Sequence, residues 1–170
     1  MGTDGPRAVE RLFAGNVLTL ELEDWGQPFR HEVVRHPGAA GVLPITPEGD
    51  VLLVRQFRPA VRSLLTEIPA GLLDVDGEDA LTCAARELFE ETGYRHETIE
   101  FLGGYYSTAG FSDEYVHLFV ATTRREPEAD PEDGIELVRA SRETMVAAAR
   151  AGRVRDVKTA LALLLANGRA

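Results

Sequence analysis

Residues 71–94 read GLLDVDGEDALTCAARELFEETGY. From Asp79 onward, Leu81, Ala84, Ala85, Leu88 and Thr92 recur at i, i+3, i+4, i+7 and i+11, which is the apolar stripe of an amphipathic helix. Gly93 stands where such a helix takes its left-handed cap, so the spacing predicts a helix from Asp79 to Thr92. On that helix Glu87 and Glu91 stack one turn apart and Glu90 lies beside them. Like charges at i and i+4 repel by a few tenths of a kcal/mol, about 0.2–0.5, and the negative end of the helix dipole adds to the cost. The arrangement asks for a cation. Hard carboxylate oxygens on one helix face suit Mg2+, with Mn2+ as a substitute, and a cation that keeps its waters and bridges to phosphates points to phosphate chemistry.

On either side of this helix the period is that of strands. Leu18, Leu20 and Leu22 alternate with Thr19, Glu21 and Glu23; Trp25 to Pro28 reads as a turn, and Phe29 to Val34 is extended again. Residues 1–38 are therefore expected to form a small antiparallel β element built on one hairpin. Residues 39–170 then make the main domain. In it, Ala39–Ile45 and Val51–Val54 are predicted strands around a turn at Thr46–Asp50, and Phe101–Tyr106 and Tyr115–Thr122 are strands around a loop at Ser107–Glu114. Residues 126–136 carry six acids and no base, which predicts a solvated loop. Ser141 can cap a helix to about Ala151, stopped by Gly152, and a last helix spans about 157–167. This order of strands, helix, strands and helices is mixed α/β.

Composition narrows the function. The chain has 170 residues, 44% of them hydrophobic, enough for one self-sufficient core. Eighteen basic against 28 acidic residues give a net charge of −10, the wrong sign for gripping a nucleic-acid backbone. An anionic small molecule would then need local neutralisation, which the helix carboxylates provide once they hold cations. The single Cys83 forms no intrachain disulfide and reads as a small helix-packing residue. The first residues lack the apolar core of an export signal, and the longest apolar run, Ala160–Ala166, is too short for a membrane span. No membrane association is expected, and the cytoplasm is the expected compartment.

The stretch from Gly71 to Tyr94 resembles the Nudix box, G-x5-E-x7-R-E-U-x-E-E-x-G-U, through Gly71, Glu78, Arg86, Glu87, Leu88, Glu90, Glu91 and Gly93. It departs in one place, with six residues rather than five between Gly71 and Glu78, which is a tolerable loop insertion near Asp74. The resemblance implies a Nudix-type α/β/α sandwich around a mixed sheet. It also implies that Glu87 and Glu91 bind the metals, with Glu90 beside them and the carbonyl of Ala70 joining, and that Glu78 and Arg86 pair to support the site behind Gly71.

Three further stretches resemble the ADP-ribose pyrophosphatases of that family: Val54-Arg55-Gln56-Phe57-Arg58-Pro59-Ala60, Glu67-Ile68-Pro69-Ala70-Gly71, and Ser107 to Glu114. The implied reaction is Mg2+-dependent hydrolysis of ADP-ribose to AMP and ribose 5-phosphate, with a metal-activated water attacking phosphorus in line. Other nucleotide sugars, GDP-mannose or ADP-glucose, and a non-catalytic ADP-ribose sensor are the alternatives. Arg55 and Arg58 offer planar forks for phosphate, although either could instead form a surface ion pair. Asp74, Ser107 and Glu114 are candidates for the substrate, and Glu132 or Asp133 in the acidic loop for the general base. The family's N-terminal element binds the base across a two-fold homodimer, which makes Trp25, Phe29 and Arg30 the candidate base contacts.

Overall fold

The computed structural model describes residues 5–124 and 127–168. The acid Glu126 of the expected loop lies outside them. Near the N-terminus β1 (Ala8–Ala14), β2 (Thr19–Asp24) and β3 (His31–Arg35) pair antiparallel in that order as a separate three-stranded sheet. The predicted hairpin is β2–β3. The third strand, β1, corrects that expectation. It was illegible because all seven of its residues are exposed, so no buried face imposes a period.

The main sheet holds β4 (Ala39–Ile45), β5 (Asp50–Arg58), β6 (Ser63–Glu67), β7 (Ala70–Leu72), β8 (His96–Tyr106), β9 (Tyr115–Thr123) and β10 (Glu136–Ser141). Its central path runs β10-β5-β4-β9-β8, while β6 adds to β5 and β7 to β4. Only the β4–β9 pair is parallel, which makes the sheet mixed. β6, β7 and β10 were not anticipated, and β8 starts at His96 rather than Phe101, with register shifts that break its alternation.

Helix α1 (Ala80–Thr92) lies on one face of this sheet. Asp79 caps it by accepting the Thr82 N–H at 2.8 Å, and Gly93 closes it at φ 75° while its own N–H reaches the Phe89 carbonyl at 2.8 Å. Cys83, Ala84 and Leu88 pack on Ala40, Val42, Leu52 and Phe119. On the other face α2 (Arg142–Arg150) and α3 (Val157–Ala166) bury Val146, Ala162 and Leu163 against Leu43, Val51, Leu53 and Leu118. Along β4, Val42 belongs to one cluster and Leu43 to the other, the period-two alternation of a strand covered on both sides. The expected α/β/α sandwich is what forms. It sets α1 against β7, and it brings the 67–70 connection, α3 and the 107–114 loop around one groove.

Candidate active site

β7 passes so close to α1 that a Cβ on Gly71 would stand 1.8 Å from Glu87 Oε1, so any side chain there would have to push the Glu87 carboxylate out of its place. One residue earlier, the Ala70 N–H donates to Glu91 Oε2 at 3.0 Å. Glu91 is only 6% exposed, and burial pushes its carboxyl up to about 7. Burial also raises Glu87, against the pull of the Arg86 guanidinium beside it. Arg86 forks onto Glu78 at 2.9 and 3.0 Å and also donates to Glu87 at 2.6 Å and Glu90 at 2.8 Å. The extra residue before Glu78 is absorbed in an exposed turn, where the Glu78 N–H meets the Val75 carbonyl and Gly77 takes φ 79°. Asp74 is exposed in the same loop.

Next to this helix face lies a groove of about 730 Å3 lined by Arg58, Glu67, Ala70, Gly71, Glu114 and Lys158. Glu67 is buried at 2% exposure and takes a two-pronged ion pair from Arg58 at 2.7 and 2.9 Å, with Lys158 Nζ also on its carboxylate. Burial alone would raise Glu67, but the two cations hold it below the usual carboxylate range. Arg55, three residues from Arg58 on a regular strand, belongs to the opposite face and donates to Glu136 at 3.2 Å, so only one of the two arginines reaches the groove. Sequence reasoning missed Glu67 and Lys158 as groove residues. The signal available was an acid inside a mainly apolar strand-length run, Leu64 to Ala70, which asks for buried partners.

The 107–114 loop is closed by Ser107 Oγ donating to Glu114 Oε2 at 2.5 Å. β3 clamps it from the N-terminal side: Val34 N–H reaches the Phe111 carbonyl at 2.7 Å, Asp113 N–H reaches the Val34 carbonyl at 3.1 Å, and Arg35 pairs with Asp113. Between this loop and the three-stranded sheet is a cavity of about 440 Å3 lined by Trp25, His31, Tyr106 and Phe111, among others. Trp25 Nε1 donates to buried Glu23 at 2.7 Å, which fixes the indole. Phe29 and Arg30 are exposed outside the cavity. Phe29 meets the edge of His31 and Arg30 pairs with Glu10.

The acidic loop is docked rather than free. Glu128 N–H donates to the Gly93 carbonyl at 2.8 Å and Glu132 N–H to the Glu90 carbonyl at 2.9 Å, so the backbone of Glu132 sits at the end of the acid-bearing helix. Asp133 follows in the turn closed by the Ile135 N–H on the Glu132 carbonyl. Cys83 is buried behind the site, its thiol pushed up to about 12 by burial, which suits a packing role.

Among the described residues no three carboxylate, imidazole or thiol groups stand in a ready metal cluster; Glu87 and Glu90 are each paired with Arg86. The donor chemistry still fits a hard divalent cation. Glu87 and Glu91 place hard carboxylate oxygens one helical turn apart, both raised by burial, and the main chain of Ala70 adjoins Glu91.

Comparison with known proteins adds a family and a fold. The NUDIX domain model matches residues 35–160. The ADP-ribose pyrophosphatase of Bacillus subtilis (strain 168) is 37% identical over 164 residues, which is 92% of this chain and 88% of that protein. The methanol dehydrogenase activator of Bacillus methanolicus is 37% identical over 162 residues, 91% of this chain and 87% of its own. A crystal structure of an ADP compounds hydrolase superposes with a TM-score of 0.78 at 22% identity, over 99% of this chain and 95% of the other, a likeness of fold.

Proposed function

The chain belongs to the Nudix family, and on that premise we propose that it hydrolyses the diphosphate of ADP-ribose to AMP and ribose 5-phosphate with Mg2+ as its cation. The observation that carries this reading is Glu91, a carboxyl almost wholly removed from water with no ion pair among the described residues, set one helical turn from Glu87 where β7 closes on α1. The likeness to a relative named for ADP-ribose supports the choice of substrate.

Bound among Glu87, Glu90, Glu91 and the Ala70 carbonyl, Mg2+ would neutralise the diphosphate and acidify a water for in-line attack on phosphorus. The chain's own residues do the rest. Arg58 and Lys158 line the groove as cations for phosphate oxygens, and Arg86, braced by Glu78, holds the carboxylates in place until the cation arrives. Glu132, delivered to α1 by its backbone, takes the proton of the attacking water, with Asp133 as the neighbouring candidate. Ser107 and Glu114 face ribose hydroxyls, and Trp25 lines the slot for the base.

We assign the 1–38 element to base binding and to a homodimer, because Val9, Leu12, Phe13, Val17, Leu18 and Phe29 are exposed there. Phe29 and Arg30 would then serve the second subunit. No described helix is long and apolar enough to cross a membrane. A single free, buried cysteine fits a reducing compartment, for which we propose the cytoplasm.

Assay of the purified protein with Mg2+ against ADP-ribose, ADP-glucose and GDP-mannose tests the substrate. ADP-ribose is expected to give the highest kcat/KM and to yield AMP. Preference for either of the others would replace it.

A further inference from the structure

Behind Ala70, Thr159 and Asp156 form a polar network that does not touch the helix carboxylates directly and reaches them through the backbone. β6 ends at Glu67 and β7 begins at Ala70, so the Ile68 N–H between them has no ladder partner. It donates instead to Thr159 Oγ1 at 2.7 Å, 91 residues further along the chain. The Thr159 hydroxyl in turn donates a hydrogen bond to Asp156 Oδ2 at 2.5 Å, and the same oxygen accepts the Thr159 N–H at 2.9 Å as the cap of α3. Asp156 Oδ1 takes Lys158 Nζ at 2.9 Å, and Lys158 also reaches Glu67. Thr159 is fully buried and Ile68 is 1% exposed, so water cannot stand in for either partner. On the opposite side the Pro69 carbonyl is pinned by the Val42 N–H at 3.0 Å. The short segment from Ile68 to Ala70 is thereby fixed at both flanks, and it ends on the N–H that holds Glu91.

We propose that Thr159, oriented by Asp156, is a positioning residue for the cation site: its hydroxyl holds the Ile68–Ala70 backbone so that Ala70 meets Glu91. This rests on the reading that Glu87, Glu91 and Ala70 bind a divalent cation. A valine at 159 has nearly the same shape but leaves the buried Ile68 N–H without a partner, while Asp156 Oδ2 keeps only the Thr159 backbone N–H, so the segment must shift to find a new acceptor. Groups that orient a metal ligand without touching the metal characteristically change affinity by about 10–100-fold when removed.

The test is direct binding of Mn2+ to the full chain, read from the loss of the free-ion electron paramagnetic resonance signal, with no substrate present. Thr159→Val is expected to weaken Mn2+ binding by about 10–100-fold, while Thr159→Ser, which keeps the hydroxyl, binds as the unaltered protein does. Leu164→Gly, an exposed change inside α3, lowers the melting temperature without weakening binding and so separates loss of stability from loss of position. Should Thr159→Val fail to fold, Thr159→Ala is read in its place, since alanine favours the helix. Unchanged Mn2+ binding in the hydroxyl-free variant, or an equal loss in Leu164→Gly, overturns the proposal. Glu91→Gln distinguishes the two levels: if it too binds Mn2+ normally, the cation reading itself fails, whereas if it alone loses binding, only the role of Thr159 does.

Discussion

Two acids beside the same groove meet opposite environments. Glu91 is buried, accepts the Ala70 N–H and meets no cation among the described residues, so burial dominates and its carboxyl rises to about 7. Glu67 is buried as deeply, but Arg58 and Lys158 outweigh the desolvation and its carboxyl falls. The sign of the stability effect follows. A carboxyl lowered in the folded state stabilises fully above its unfolded value, and that stabilisation is lost as pH falls through the folded value. The urea midpoint of the unaltered protein is therefore expected to drop between pH 6 and pH 3 by more than that of Glu67→Gln. An identical pH dependence in the two proteins would show that the Arg58–Glu67–Lys158 cluster is not ionised as drawn.

At the scale of elements, the join between α1 and the acidic loop is the most constrained. Gly93 holds φ 75°, and a Cβ there would stand 1.8 Å from the Ala129 carbonyl oxygen, so Gly93→Ala must both strain the cap and push the loop away. The expected result is a loss of about 1–2 kcal/mol in unfolding free energy, with kcat reduced more than KM changes because Glu132 is displaced. Stability and kinetics equal to the unaltered protein would contradict that join. Helix α1 was legible from sequence because its apolar stripe, its Asp79 cap and its Gly93 stop all agree, and β4, β5 and β9 because their apolar runs are buried on both sides. β7 and β10 were not. The first is three residues held by pairing to β4, and the second begins inside the acidic stretch and exists through its ladder with β5, where Arg139 meets Glu48 and Asp50. Partners some 30 to 90 residues away decide such strands, and no local pattern carries them. The same holds for the site: Glu87 and Glu91 are marked by their spacing, whereas Glu67, Lys158 and Thr159 acquire a role only when α3 is folded against the sheet.

For the whole molecule the governing quantity is charge. A net charge of −10 opposes the approach of a diphosphate, so on the proposed reading affinity for the substrate and affinity for Mg2+ are expected to rise together. The exposed apolar face of the N-terminal sheet is the other property of the whole. If it closes a two-fold dimer, Phe13→Glu should yield a monomer by light scattering and raise KM for the nucleotide, since the cavity proposed for the base borders that element. A protein that is monomeric before the change would remove the dimer from the account. The most direct measurement for the account as a whole is the rate of AMP release from ADP-ribose titrated with free Mg2+, for the unaltered chain and for Glu91→Gln. The expected result is saturable activation by Mg2+, no turnover in excess chelator, and a loss of about 100-fold or more in the variant. Undiminished turnover in chelator, or in Glu91→Gln at every Mg2+ concentration, would contradict it.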